Sequence, residues 1–277
     1  MTIQFNRSRD LDFLYDDLSK RLLKGMTIAK KKKQIDVHIP VYKKKEGLAV
    51  LKESLLRLFF ERKRLELWKT ILKEDFFYQD EHEQNEIIQI AQSILEGKRK
   101  DLPVNMEEWR DVQQIERELQ DVLKNNPHFS FDAFITFRLR FYLEKMGQLI
   151  EVAIDEYKLE QDYQMYLQYL RDFLSGREPQ MECLYVVDQD GFIFFDEDRN
   201  EIQQADLYQR IDRRLLFSHP VYVDSLTIAP LISIAPKQIF LFTNQSDSGI
   251  IQTLKNIFEE KITIQPLDYF EKQWEQK

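Results

Sequence analysis

Apolar residues recur at helical spacing through the middle of the chain and at strand spacing near its two ends. TIQF (2–5) reads as a short strand. LDFLYDDLSKRLL (11–23) follows, with Leu11, Leu14, Leu18, Leu22 and Leu23 on one helix face. QIDVHIPV (34–41) alternates, placing Ile35, Val37, Ile39 and Val41 on one side of a half-buried strand. These three pieces predict a compact β–α–β unit over residues 1–45.

From Gly47 to about Lys124 the spacing is helical. LAVLKESLLRLFFERKRLELWKTIL carries a broad apolar stripe. EIIQIAQSILEG (86–97) ends at Gly97, a residue suited to the position just past a helix. Residues 101–105 read as a loop, and EEWRDVQQIERELQDVLKNN (107–126) as an amphipathic helix stopping before Pro127. Ser130 or Asp132 then caps a new helix. From Phe134 to Leu174 the chain has no proline and one glycine. Phe134, Phe137, Phe141 and Met146 mark one stripe, widened by Tyr142, Leu149 and Ile150. Ile154, Tyr157, Leu159, Tyr163, Tyr166, Leu167, Leu170 and Phe173 carry it towards Gly176. A stripe this wide touches more than one neighbour, which predicts a helical bundle over 46–177.

Past Pro179 the pattern turns to strand. ECLYVVDQDGFIFFDEDRNEI holds two β-rich runs around Asp190-Gly191, a hairpin signal. ADLYQRIDRRLL (205–216) reads as a helix, and VDSLTIAPLISIAP as a helix broken at Pro230. QIFLFTN (238–244), SDSGIIQTLKNIFEE (246–260) and KITIQP (261–266) read as strand, helix and strand, with a parallel, right-handed crossover. The fold class is α+β and predominantly helical. A central bundle is bracketed by the N-terminal β–α–β unit and a mixed β/α region at 181–277. The pattern leaves open whether the segments form one continuous domain and whether the two sets of strands share a sheet.

Composition narrows the chemistry. Hydrophobic residues make up 43% of the 277, with 20 Phe and 12 Tyr, which supports a real core and argues against disorder. With Gly 7 and Pro 8, few places let backbone approach a phosphate. Gly-x-Ser-x-Gly, Walker A and Gly-x-Gly-x-x-Gly patterns are absent. Cys183 is the single cysteine, so an internal disulfide and a multi-cysteine metal site are excluded. Within CLYVV it reads as a buried, inert thiol. No apolar run reaches the ~18–20 residues that span a bilayer, and MTIQFNRSRD lacks a signal-peptide pattern. A cytoplasmic protein is expected. The net charge of −8 is uneven: residues 1–73 hold 19 Lys and Arg against 9 Asp and Glu, a net +10, and the remainder 21 against 39, a net −18. A basic front on an acidic body suggests an interaction surface of one sign.

The block FITFRLRFYL…AIDEYKLE carries Phe134, Phe137-Arg138-Leu139, Tyr142-Leu143, Ala153, Asp155-Glu156 and Glu160. Together with the later SLTIAPLISIAPKQIFLF, it resembles the YtxC-like family, described as sporulation proteins of endospore-forming Firmicutes. The resemblance spans roughly residues 50–266. It implies a role associated with sporulation in a bacterial cytoplasm. It brings no activity, cofactor or catalytic residue.

Two constellations remain as candidate sites. Arg138 and Arg140, on a strongly apolar helix, are expected to face Asp155, Glu156 and Glu160 in an ion-pair network that fixes helix register or receives a partner's charge. A catalytic use of Arg138, Asp155 and Glu156 is the lesser alternative. Glu156 and Glu160 share a face at i, i+4, but no Glu-x-x-His accompanies them, so no metal or other cofactor is expected. His38, His82, His128 and His219 lie apart from one another without metal spacing; His82 reads as solvated and His219 as a loop or core residue. The second constellation is Lys30, Lys31, Lys32 and Lys33 with Lys43, Lys44 and Lys45, which could bind anions or could be a solvated face. The expected function is non-enzymatic, through contacts to a protein partner of unknown identity. The alternative is nucleic-acid or anionic-surface binding through the basic front.

Overall fold

The computed structural model describes residues 1–99, 102, 112–189, 191–218 and 227–274. It is predominantly helical with two mixed sheets, as the apolar spacing predicts. The N- and C-terminal strands lie in separate sheets. The chain divides into two compact units, residues 1–158 and 159–277, and the division falls within the helix α7 (Arg140–Ser175).

In the first unit, β1 (Thr2–Gln4) leads to α1 (Ser8–Lys20). The predicted β–α–β unit is richer than expected. A hairpin of β2 (Thr27–Lys31) and β3 (Gln34–His38) follows α1, turning at Lys32-Lys33. β3 pairs antiparallel with β1, and β1 pairs in parallel with β4 (His128–Ser130), giving the order β2-β3-β1-β4. β2 escaped the pattern because it is an edge strand. Only Ile28 is half-buried and the other four residues are exposed, so there is no alternation to read. The second strand also stops at His38 rather than continuing to residue 41. Pro40 ends it, and Val41 is 90% exposed on a 3-10 turn, Val41–Lys43.

The helical stretch after Gly47 starts earlier and is divided. α2 (Lys44–Leu58) passes through a π turn at Phe59–Lys63 into α3 (Arg64–Glu74). Gly47 is required where it stands: a Cβ there would lie 2.4 Å from Cγ2 of Ile39, so the first turn of α2 can approach β3 only without one. α4 (Glu81–Leu95) is capped by Asp80, whose Oδ1 accepts from the amides of His82 and Glu83, and Gly97 beyond its end takes φ +74° as predicted. α5 (Val112–Asn125) stops before Pro127. The predicted loop at 101–105 and the start of that helix fall mostly outside the described residues, as does His219.

Ser130 caps α6 (Phe131–Arg138) by accepting from the amide of Ala133 at 3.3 Å. The long aromatic stripe is broken at Leu139, which has φ −100° and ψ 21°, and α7 begins after it. This break corrects the predicted stripe. Phe134 and Met146 are buried, whereas Phe137 is 78% exposed. Further along α7, Leu149, Ile150, Ala153, Ile154 and Tyr157 repeat at three- and four-residue spacing and are all buried. One hydrophobic cluster runs from Ile3 on β1 to Tyr157 on α7. The β–α–β segment and the helices that follow it therefore share a core.

Asp132 has a different task from the predicted cap. Lys63, at the end of the π turn, is almost fully buried, with Nζ 2.6 Å from Asp10 of α1 and 2.8 Å from Asp132 of α6. Asp132 also accepts from the amide of Asn6 at 2.8 Å. Burial pulls the Lys63 ammonium towards deprotonation, but its bonds to Asp10 and Asp132 outweigh that and leave its pKa above the ordinary lysine value. Asp10 is fully buried in the first turn of α1, where the helix N-terminus favours a negative charge.

In the second unit, β5 (Cys183–Asp188) and β6 (Phe192–Phe195) form the predicted hairpin, although Asp190 itself lies outside the described residues. β7 (Glu201–Ile202) extends it as an unpredicted third strand. β5 pairs in parallel with β8 (Gln238–Phe242), and β8 with β9 (Ile262–Gln265), giving the order β7-β6-β5-β8-β9. α11 (Gly249–Phe258) makes the predicted parallel crossover. The single helix read at 205–216 is two, α8 (Gln204–Arg210) and α9 (Arg213–Ser218). α10 (Ile228–Ile234) is not broken at Pro230. The proline sits in its first turn, where a missing N–H costs nothing because no intrahelical acceptor is available there. Leu184 and Val186 of β5 and Ile239 and Leu241 of β8 share the buried face with the helices. On the other face Tyr185 stacks on Phe240 at 5.3 Å, and Phe195 and Phe242 each approach Phe270 of α12 (Leu267–Trp274) at 5.4 Å.

Removing the Lys63 ammonium leaves Asp10 buried without its cation. Lys63→Met is expected to destabilise the first unit by about 3–5 kcal/mol in chemical denaturation. Adding Asp10→Asn and Asp132→Asn should restore part of that loss. A Lys63→Met cost under about 1 kcal/mol would show that the pair does not hold these elements together.

Candidate functional site

The first unit presents an open groove of about 460 Å³ between α2 and α5. Leu48 and Ala49 of α2 and Leu123 of α5 supply its apolar lining; Lys44, Lys45, Lys52 and Lys124 stand around it. Local sequence builds each wall. On α5, Ile115, Leu119 and Val122 turn into the core with Leu123, which leaves Lys124 outside. On α2, Leu51, Leu55 and Leu58 are fully buried. Lys45, Leu48, Ala49 and Lys52 fall on the next face round, because residues three and four apart share a face. Lys52 is 3.4 Å from Glu116. Lys44, Lys45 and Lys124 are exposed, and none has an ion-pair partner among the described residues. Lys44 and Lys45 also occupy the first turn of α2, where the helix dipole is positive and a cation is disfavoured by a few tenths of a kcal/mol each. Of the four groove lysines, Lys52 is compensated by Glu116, and the other three place positive charge on a partly apolar surface with no ion-pair partner among the described residues.

The other predicted lysines divide. Lys30 and Lys31 are on the edge strand β2, each 2.5 Å from a carboxylate: Asp12 for Lys30 and Asp36 for Lys31. Lysine on an edge strand discourages further strands from pairing, and this accounts for both. Lys32 and Lys33 are exposed at the hairpin turn. Lys43 is half-buried in the 3-10 turn before α2. The structure therefore brings Lys44 and Lys45 to the groove and leaves Lys30–Lys33 at the sheet edge. Lys52 and Lys124 were missed by sequence reading. A lysine run is visible in sequence, but the approach of α5, which brings Glu116 to Lys52 and Lys124 to the groove, is not.

The arginine–carboxylate network does not assemble. Arg138 is 52% exposed, with Glu118 at 3.5 Å and Asp121 at 3.8 Å, both on α5. Arg140 is 81% exposed and pairs along its own helix with Glu144 at 3.0 Å. Glu156 takes Arg99 at 3.1 Å, and Asp155 and Glu160 are exposed. Arg140 opens α7 and Asp155 stands on the same helix, about 22 Å further along at about 1.5 Å per residue, beyond the reach of either arginine side chain. Among the described residues no group of three His, Cys, Asp or Glu could hold a metal ion. His82 is solvated, with Nδ1 3.6 Å from Glu86, and His38 and His128 are exposed. Cys183 is half-buried at the start of β5 rather than fully enclosed. Tyr142 packs edge-on to Phe59, and burial pushes its pKa up to about 12, so it stays protonated.

In the second unit Asp212 joins Arg177 and Arg214, and both guanidiniums cover the Phe173 ring, at 4.4 and 5.7 Å. The amide of Asp212 donates to Ser233 Oγ at 3.0 Å. The bond from Arg214, with the arginine charges, holds the Asp212 carboxyl at about 2. This cluster ties α8, α9 and α10 together and opens onto no cavity among those described.

The fold and groove define a predominantly helical α+β protein with a cationic, partly apolar cleft. The chain matches the YtxC-like family over residues 49–263 and belongs to that family. It is similar to a protein of Bacillus subtilis (strain 168) named "Uncharacterized protein YtxC", with 35% identity over 216 residues, covering 78% of this chain and 76% of that one. No solved structure matches the chain. No helix among the described residues is long and apolar enough to cross a membrane. The family match takes in Ala49, Lys52, Leu123 and Lys124 and begins just after Lys44, Lys45 and Leu48.

Two outcomes are expected. Arg138→Met should change stability by no more than about 0.5 kcal/mol, because its pairs are half-exposed. A loss of several kcal/mol in a thermal or denaturant melt would restore a structural network around it. Asp212 has a folded pKa below its unfolded one, so its contribution is present above pH ~4 and is lost as pH falls towards ~2. Wild type should lose about 2 kcal/mol more than Asp212→Asn between pH 5 and 2 in parallel denaturation curves; superimposable pH profiles would refute this.

Proposed function

We propose that this protein acts without catalysis, in the cytoplasm of a sporulating bacterium, by contact with another protein. The groove carries this reading: Lys44, Lys45 and Lys124 have no ion-pair partner among the described residues and stand beside apolar Leu48, Ala49 and Leu123. Exposed cations around a cleft with an apolar lining suit a binding face, because lysine stems cover apolar surface while their charges meet a partner's carboxylates. The placement in sporulation rests on the family resemblance seen in the Phe134–Glu160 block. The exposed Val41 and Tyr42, immediately before the lysines, add apolar surface next to the groove.

Binding of nucleic acid is a second reading, favoured by the exposed Lys32 and Lys33 at the β2–β3 turn and Lys44 and Lys45 at the start of α2, none with an ion-pair partner among the described residues. It would show a steep fall in affinity with salt. The lysines at the groove border apolar rather than aromatic stacking surface, which makes protein contact the better fit.

The test is genetic. Lys44→Glu, Lys45→Glu and Lys124→Glu are introduced together at the chromosomal locus and heat-resistant spores are counted. All three side chains are exposed, so the melting temperature should stay near wild type. Spore yield is expected to fall towards that of the deletion strain. Wild-type sporulation by the triple variant, in a background where deletion is defective, would sink the reading.

A further inference from the structure

We propose that the α2/α5 groove receives one amphipathic helix of a partner, with apolar residues facing Leu48, Ala49 and Leu123 and acidic residues facing Lys44, Lys45 and Lys124. The proposal rests on the protein-contact reading and names the chemistry of the contact.

Three observations carry it. The first is shape: the groove is a cleft between two helices, about 460 Å³ in volume. From Lys45 to Lys52 its α2 wall runs about 10 Å, two helical turns. A guest helix presents apolar side chains at i, i+3 and i+4 over the same length, which is the usual way a helix occupies an apolar groove. The second is the lining. Ala49 is small and exposed, so the backbone of a guest can approach α2 closely there; half-buried Leu48 adds apolar contact beside it, and buried Leu123 backs the α5 side. The third is charge. Lys44 and Lys45 stand at one end of α2 and Lys124 on the opposite wall. None is neutralised by a carboxylate among the described residues. Two of them sit on the positive pole of a 15-residue helix. Carboxylates arriving on both flanks of a guest helix would relieve that repulsion, and lysine stems would cover its apolar edge.

A concave site of this kind fits a helix better than a bilayer, which presents a broad surface and rewards protruding apolar groups. Duplex nucleic acid would use the lysines and leave Leu48 and Leu123 without a role.

The test uses the full-length protein and a fluorescein-labelled model peptide of about 14 residues, long enough to be partly helical. The peptide has leucines at i, i+4, i+7 and i+11 and glutamates on both flanks. A second peptide of the same composition is scrambled to break the stripe, and a third replaces glutamate with lysine. Fluorescence anisotropy is read at about 50 and 200 mM salt. The striped acidic peptide is expected to bind, more weakly at high salt, and the other two at least tenfold more weakly. Ala49→Trp fills the groove without changing charge and should reduce affinity at least tenfold. The Lys44→Glu, Lys45→Glu, Lys124→Glu variant should do the same.

Equal binding of striped and scrambled peptides, or binding indifferent to Ala49→Trp, would overturn the proposal. So would binding to phosphatidylserine vesicles, or to duplex DNA, that is lost in the same variants while the acidic peptide fails to bind. Self-association that is abolished by Ala49→Trp, with no peptide binding, would assign the groove to a second copy instead. A failed peptide test beside a sporulation defect in the lysine variant would leave the protein-contact reading standing and remove only the helix. Peptide binding beside normal sporulation would uphold the helix site and remove only its part in sporulation.

Discussion

Lys63 is the point on which the first unit turns. Its ammonium lies among three elements that are far apart in sequence: Asp10 on α1, Asp132 on α6, and its own π turn between α2 and α3. Asp132 in turn receives the amide of Asn6, which leads out of β1. A buried ion pair contributes little net energy compared with a well-packed apolar triad, because desolvation offsets the attraction. What it supplies is exclusivity. A buried ammonium tolerates few arrangements of its neighbours, which restricts how the continuous α2–π–α3 segment can pack on α1 and α6. The π turn, a rare local geometry often found where a helix must place a side chain out of register, ends on the residue that makes this contact.

Lysine serves three physical ends in the first 124 residues, and position decides which. On the edge strand β2, Lys30 and Lys31 are paired with Asp12 and Asp36 and guard a row of unpaired backbone groups. At the π turn, Lys63 is enclosed and organises the core. At the start of α2 and the end of α5, Lys44, Lys45 and Lys124 are exposed and uncompensated. Charge counting along the chain lumps these together as a basic front. Of these three groups, only the last is both exposed and without an ion-pair partner among the described residues.

Several of the departures from the sequence reading share one cause. A short strand earns its place from its neighbours rather than from its own composition. β4 is three residues of no particular pattern, and it exists because Thr2 donates to the carbonyl of Pro127 at 2.8 Å and β1 offers a free edge. β2 and β7 are polar edge strands that leave no periodic trace. The break at Leu139 has no proline or glycine to announce it. It follows from seating Phe131 and Phe134 against Phe5 and each other, at 5.8 and 6.0 Å, while Tyr142 meets Phe59. The arginine–carboxylate network fails for a simpler reason: on one helix, Arg140 and Asp155 are about 22 Å apart.

The sequence by itself determined the class of the fold, the long helices with their buried faces, a helix start at Ser130 or Asp132, the Gly97 terminus, the β5–β6 hairpin and the parallel crossover at the C-terminal end. It also determined the family, through the Phe134–Glu160 block. These features rest on local periodicity and on backbone preferences of single residues, which act over one or two turns. Tertiary structure alone decided that the strands form two sheets, that Lys63 is buried between two aspartates, and that Lys44 and Lys45 meet Lys124 across a groove. Each of these brings together residues separated by tens of positions. Charge and apolarity at such range are set by which helices pack together, and no local pattern records that.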